Sequence, residues 1–534
     1  MPPAVPDDEF ADLFAAIGRD SVPPRIVAVV MVLQRLHGLS DREAVDAFAF
    51  DLRWKYAAGA LDFDHPGFAH TVLVDFRERL RRSKRPNRIF EAALAVAKQA
   101  GLVGRKCVLD STALYDAVAT QDTVTMIRAA IRGLLRVADT TLGGEVRKAL
   151  RRDDDYKDAG KPVCDWEDAA AREALVDALA KDGYSALLVR DGTHTGAEVA
   201  QAGQLLATVL GQDLEKTADG CFRIARRVAH DRVISTVDPE SRHGHKTQSR
   251  NFDGYKAHIA IDPDSEIITA TEVSAGNAAD GAVAETLVGA ELVEAKQAGE
   301  SEAVEIYGDA SYGTAALVEK IEAAGAEANV KVQAASPPRV GLYSQDAFKI
   351  DMQAGIACGP AGTLVKLRAL QEGAAVADFS ASCISCPLRP QCTTSASGRE
   401  LRIHPKHATL ARSRARQRDP EWRQRYRATR PKVERKIGHL MRRKHGGRRA
   451  RMRGCQKIGY DSLCSPRPST SHDSPRYTRS NESLAPSPYD RDQPTARVTT
   501  RPDPHPAPRT APASPASGRG SDWRPAGTRF TPAT

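Results

Sequence analysis

The sequence predicts an α/β protein, with a mixed-sheet core interrupted by insertions and preceded by an all-helical N-terminal domain. Three observations predict it. Short apolar runs rich in Val and Ile alternate with helical periodicity between residues 106 and 333. The first 100 residues carry helical patterning alone. Two of the apolar runs end in a lone carboxylate, Asp110 and Asp309, and a third acid, Glu434, lies on a strongly basic helical stretch. A chain of 534 residues with 41% hydrophobic content can build several real cores.

In residues 1–100, Ile26, Val29, Val30, Val32 and Leu33 form one apolar stripe, and Ser40-Asp41-Arg42-Glu43 is a helix start with acids in its first turn. Phe76, Leu80 and the basic run from Arg77 to Arg82 complete a helical domain suited to DNA binding or dimerisation, or simply to packing. Residues 101–119 supply a first strand, Lys106-Cys107-Val108-Leu109, closed by Asp110. Residues 120–235 are a mostly helical insertion, with Met126, Ile127, Ala130, Ile131, Leu134 and Leu135 on one face. The core resumes over 236–335. Strands over 254–261 and 266–273 are joined at Asp262-Pro263-Asp264-Ser265, whose residues favour a tight turn. There follow a helix over 281–298, a strand 304–308 closed by Asp309, a helix over 315–324 and a strand over 328–333.

Residues 336–410 form an insertion that holds Cys383-x2-Cys386-x5-Cys392. Three thiolates at that spacing would clamp a structural zinc ion if Cys358, His404 or His407 gave a fourth ligand; reduced, metal-free thiols are the equal alternative. Residues 411–454 are a basic helical segment that completes the core. From Cys455 to the end, 14 of the chain's 32 prolines accompany abundant Ser, Thr and Arg, a composition that cannot bury enough surface to fold. The abrupt change after Gly454 fits either a disordered tail or an out-of-frame end.

The net charge of +9 and pI near 9.0 favour a polyanionic partner. Between 401 and 454 there are 20 Lys or Arg against three acids, an imbalance that would repel itself without a partner. Nucleic acid fits better than a membrane surface, because no apolar face backs these arginines. No apolar run is long enough to span a bilayer, and the stretch from Ile26 to Leu33 follows acidic residues, unlike a signal peptide. A cytoplasmic protein is expected, and nine cysteines suit a reducing compartment.

Taken singly, the acids are ordinary. Asp110 before Ser111-Thr112 reads as a helix cap, Asp309 as a strand-to-helix turn, and Glu434 as a salt-bridging residue. Their order is not ordinary. Strand, strand, strand, helix, strand, helix, strand and a final helix is the RNase H order, which brings acids on the first strand, the fourth strand and the last helix to one side of a sheet. Three such carboxylates hold Mg²⁺ or Mn²⁺ ions that activate a water or a 3′ hydroxyl against a phosphodiester.

Val108-Leu109-Asp110-Ser111-Thr112, Phe252-Asp253-Gly254-Tyr255-Lys256-Ala257-His258, Gly308-Asp309-Ala310-Ser311-Tyr312-Gly313 and Arg430-Pro431-Lys432-Val433-Glu434-Arg435-Lys436 together resemble a bacterial insertion-sequence transposase of the DDE class. The likeness is to the branch with a helical N-terminal domain and a Cys-containing insertion before the final Glu, and it covers roughly residues 20 to 454. It implies an RNase H-like core with Asp110, Asp309 and Glu434 as catalytic metal ligands. It also implies double-stranded DNA partners, namely terminal inverted repeats and target DNA, and a homodimer on DNA. Tyr426 and Arg430 approximate the family's residues upstream of the Glu, and Lys432, Arg435 and Arg442 would join them in DNA binding. The family's downstream Lys position is Met441 here, with Arg442 beside it. The function expected is metal-dependent cleavage and strand transfer; a decayed DNA-binding descendant or a nuclease without joining are the alternatives.

Overall fold

A computed structural model describes residues 7–463, apart from 16–20, 117, 193–195, 248, 299–302 and 443–446. The N-terminal part is helical, as its patterning predicts: α1 (Pro24–His37), α2 (Asp41–Phe50), α3 (Leu52–Ala57), α4 (Thr71–Arg82) and α5 (Arg88–Gln99). Ser40 starts α2 through a capping box: Glu43 N donates to Ser40 Oγ (3.3 Å) while Ser40 N donates to Glu43 (2.7 Å). Ile26, Val30, Phe48, Leu73, Phe76 and Leu80 fill this domain's core. The basic run of α4 is largely consumed inside the domain. Arg77 pairs with Asp41, Arg81 and Arg82 pair with Glu78, and Arg79 lies over the Phe14 ring at 4.7 Å.

β1 spans Lys106–Tyr115, so the strand does not end at Asp110 as its sequence suggests. The helical insertion follows as α6 (Thr123–Val137), α7 (Thr140–Ala149), α8 (Ala169–Asp191) and α9 (Ala197–Asp213), with a small ladder of β2 (Leu214–Lys216) and β3 (Phe222–Ile224). It has its own core around Met126, Ile131, Leu134, Leu179 and Leu206. The main sheet then resumes with β4 (Arg242–Thr247), β5 (Arg250–Ile261) and β6 (Ile268–Ala275). Two short helices, α10 (Ala284–Leu287) and α11 (Gly289–Ala298), replace the single helix expected there. β7 (Glu305–Gly308), α12 (Ala315–Ala323) and β8 (Glu327–Val330) close the core.

The sheet order is β4-β5-β1-β7-β8, with β6 also on β5. β6 takes the outer edge of β5 over Tyr255–Ile261 and β4 takes it over Arg250–Gly254. β1 is antiparallel to β5, parallel to β7, and β7 is parallel to β8. Strand residues alternate between faces. Cys107, Leu109 and Ile306 therefore pack among α10, α11 and α12, whereas Val108 and Tyr307 pack against the C-terminal helices on the other face. Asp110 shares the parity of Val108 and so points to that second side. Burial on both faces explains why β7 and β8 read as short continuous apolar runs.

The Cys-containing insertion is a five-stranded antiparallel sheet that sequence periodicity did not indicate. Its strands are β9 (Lys349–Asp351), β10 (Ile356–Cys358), β11 (Leu364–Ala369), β12 (Ala375–Asp378) and β13 (Glu400–Ile403), with a short α13 (Arg389–Cys392). The chain returns to the core through α14 (His407–Arg416), α15 (Pro420–Thr429) and α16 (Pro431–Leu440). Pro431 stands in the first turn of α16 and separates it from α15, since proline supplies no amide hydrogen for a continuous ladder. Beyond the loop, Tyr115 N donates to Arg448 O (2.9 Å) and Ala450 N to Tyr115 O (2.7 Å), extending the edge of β1.

The expected tail begins as an ordered helix instead. α17 (Cys455–Leu463) buries Ile458 beside Leu114, Tyr255 and Val273. Those apolar partners lie on distant strands, so a reading of local composition could not include them. Residues 464–534, where the rest of that expectation falls, lie outside the described residues.

Candidate functional site

The side chains of Asp110, Asp309 and Glu434 come together around one guanidinium. Arg430 Nη2 lies 2.9 Å from Asp110 Oδ1 and 3.8 Å from Asp309 Oδ2, and Arg430 Nη1 lies 3.3 Å from Glu434 Oε1. Each acid arrives by a different route. Asp110 sits mid-strand, held between Leu109 and Ser111 by the pairing of β1 with β5, and Ser111 N donates to its Oδ1 (2.8 Å). Asp309 follows the last residue of β7, and Ser311 N donates to it (2.9 Å). The turn beyond it runs so close to the next strand's exit that a Cβ on Gly313 would lie 1.8 Å from Lys331 O; only glycine fits there. Glu434 is one helical turn from Arg430 on α16, which gives their i,i+4 pairing.

Exposure grades across the three sites. The Asp110 side chain is 13% exposed and Arg430 8%, while Glu434 is 65% exposed. Burial pushes the Asp110 carboxyl up to about 6, against the opposing pull of Arg430. α15 is pinned to β7 by Tyr426, whose hydroxyl donates to Gly308 O (3.1 Å) and whose ring stacks on Trp422 at 4.9 Å. Burial raises the Tyr426 hydroxyl to about 12, so it stays a donor.

The three acids line a cleft of 790 Å³ together with Ser111, Lys256, Asp280, His245, Lys246, Arg250 and Arg448. A larger cleft of 1050 Å³ lies in the helical insertion and holds none of the three. Asp280 was missed by the sequence reading. Lys256 Nζ donates to its Oδ1 (2.8 Å) and Ser111 Oγ to its Oδ2 (2.7 Å), so this carboxylate is fully engaged in bracing the strand that carries Asp110. Asp280 stands five residues past the end of β6, so it carries no strand-end signal of the kind that marks Asp309. His258 is buried between Tyr312 OH and Ser274 Oγ, both at 2.8 Å, and burial lowers its pKa to about 4. It is a neutral structural residue.

The other residues expected to bind DNA are placed differently. Tyr426 is buried at the end of β7, and Arg430 is held by the acids. Lys432 pairs with Asp264 at 2.8 Å and Arg435 with Glu266, both at the β5–β6 turn. Arg442 is exposed at the end of α16. The basic segment finds its counter-charges within the chain. Lys406 pairs with Glu319, Arg412 with Glu322, Arg414 and Arg418 with Asp346, and Arg425 with Glu327. A window of sequence counts only its own charges and cannot include acids from the elements it packs against.

Oxygen donors of this type suit a hard divalent cation. Among the described residues, however, no three His, Cys, Asp or Glu side chains stand close enough together to hold one. At the acids, the guanidinium of Arg430 spans them. Cys383, Cys386 and Cys392 line one hollow, of 20 Å³, beside Phe348 and Phe379, and none of them is in a disulfide. No helix among the described residues is long and apolar enough to cross a membrane.

Residues 364–463 match a family described as a transposase DDE domain, and residues 4–79 match one described as a transposase domain (DUF772). The first match contains Glu434 and runs past Gly454 through α17. Neither segment contains Asp110 or Asp309. No curated protein and no solved structure matches the chain. The two segments bear out the resemblance to an insertion-sequence DDE transposase.

Proposed function

We propose that this chain, which carries transposase-family segments toward both ends of its described part, is the transposase of an insertion sequence. In this reading it binds the element's terminal inverted repeats, cleaves DNA there and joins the freed 3′ hydroxyl to target DNA. One observation carries the reading: carboxylates from the first strand, the fourth core strand and the last core helix all reach Arg430 within a single cleft. The strand order supports an RNase H-like core, with β6, β5, β1, β7 and β8 as strands three, two, one, four and five.

Asp110, Asp309 and Glu434 would hold divalent cations, which supply activation of the attacking oxygen and stabilisation of the leaving oxygen. The chain's own residues prepare that site. The pairing of β1 fixes Asp110, Tyr426 fixes the end of β7 beneath Asp309, and the single positive charge of Arg430 offsets part of the charge of the three acids. Two DNA ends held by a homodimer suit joining of both strands, an expectation that comes from the family likeness.

The test is magnesium-dependent cleavage of a DNA fragment carrying the element's ends, compared with Asp110→Ala, Asp309→Ala and Glu434→Ala. Loss of cleavage in all three, with DNA binding retained, is the expected result. Full cleavage by any one of them removes that residue from the site. Cleavage with no joined product at any target would replace strand transfer by simple hydrolysis.

A further inference from the structure

Along the same cleft as the three acids stands the β4–β5 hairpin. His245, Lys246 and Arg250 near its tip are exposed, and all three line the cleft, as does Arg448 from the segment after α16. Most basic residues of the C-terminal helices are matched by acids from neighbouring elements. Lys246 and Arg250 have no carboxylate partner among the described residues. The Arg448 side chain donates to the carbonyl of Met441 (3.3 Å) and has no carboxylate partner among the described residues.

The hairpin is firmly based. β5 hands its outer edge from β6 to β4 at Gly254, where φ is +137° and a Cβ would lie 2.3 Å from Leu114 O. Phe252 is buried at the root, and His243 pairs with Asp253 across the two strands. The root of the hairpin is therefore held in place, with Lys246 and Arg250 a few residues beyond it.

Resting on the function proposed above, we infer that the hairpin tip and Arg448 form a phosphate grip for the DNA strand that is cut. The strand would run between the tip and the three carboxylates. A phosphodiester brought to three acids meets repulsion, and cations on the flank must offset it. Arg430 is engaged with the acids themselves, which leaves Lys246, Arg250 and Arg448 for the backbone on either side of the scissile phosphate. Such contacts are indifferent to base sequence and set position.

The experiment measures binding of a fluorescein-labelled duplex of mixed sequence with a short 3′ single-stranded end, in chelator, as a function of salt. The Lys246→Ala/Arg250→Ala double variant should bind several-fold more weakly, and its slope of log affinity against log salt should fall by roughly 1.5, the loss of two phosphate contacts. A Lys246→Arg/Arg250→Lys variant should recover the parental slope. Equal slopes for parent and double-alanine variant overturn the grip and leave the transposase reading standing. A parent that binds no DNA removes both.

Discussion

Replacing Arg430 by Met should leave Asp110 largely buried with no guanidinium opposite it, a loss that is greatest where the pH keeps its carboxylate ionised. The guanidinium stands 2.9 Å from Asp110 Oδ1, with 8% and 13% of the two side chains exposed. At an effective dielectric near 20 the gross attraction is about 6 kcal/mol. Breaking such a pair by removing one member costs roughly 3–5 kcal/mol, because the remaining charge keeps its desolvation penalty. The longer contact to Asp309 and the exposed one to Glu434 add little. Urea unfolding, followed by the fluorescence of Trp422 beside the site, measures the loss.

The pH and metal dependence of that loss sharpen the test. Asp110 has a folded pKa of about 6, above its ordinary value, and Arg430 is among the groups that hold it down. In the variant it rises further. A carboxyl with a raised folded pKa binds protons more readily folded than unfolded, so its destabilisation is greatest above that pKa and fades as pH falls towards 5. The variant's deficit should shrink over that range. Manganese should also stabilise Arg430→Met more than the parent, where cation and guanidinium compete for the same oxygens; ~100-fold excess over Kd is worth about 2.7 kcal/mol. A variant as stable as the parent in chelator, or an equal gain from manganese in both, refutes the reasoning.

His258, buried and held near pKa 4, is bound neutral in the folded protein but protonates near its ordinary value when unfolded. Its contribution is present above about pH 6.5 and is lost as pH falls towards 4, on the order of 3 kcal/mol in total. The His258→Asn variant should show a flatter dependence of unfolding free energy on pH; parallel curves would contradict this. Gly254→Ala puts a Cβ against Leu114 O in a left-handed backbone conformation and should cost ~3 kcal/mol or more, read as a lower urea midpoint, whereas an unchanged midpoint means the strand handover is not so tight. Ile458→Ala should cost ~2–5 kcal/mol if α17 is part of the folded core, and near zero if it is not.

The order of strands and helices around the acids was legible because each element is short, apolar and bounded by turn residues. The hairpin at Asp262-Pro263-Asp264-Ser265 is a case in point, since the Asp262 side chain accepts from the amides of Asp264 and Ser265 as the turn closes. The end of β1 was not legible. Asp110-Ser111-Thr112 looks like a cap, and only the length of β5, which pairs with it as far as Tyr115, keeps the chain extended. The position of Arg430 was equally hidden, because two of its three partners come from distant parts of the chain. The sheet of the Cys-containing insertion escaped notice because its strands, of three to six residues, are too short to show a period.

The three acids differ in how firmly the fold holds them. Asp110 is locked into a ladder, Asp309 is the first residue past a strand, and Glu434 projects from the exposed side of a helix that begins at a proline. The site thus has one acid set by strand pairing and one set by helix packing. α16 is seated on the sheet by Val433, which is fully buried with Val108 and Tyr307, so that packing, and not the ladder, fixes where Glu434 stands. A substitution under α16 would therefore reach Glu434 while leaving the pairing that sets Asp110 intact.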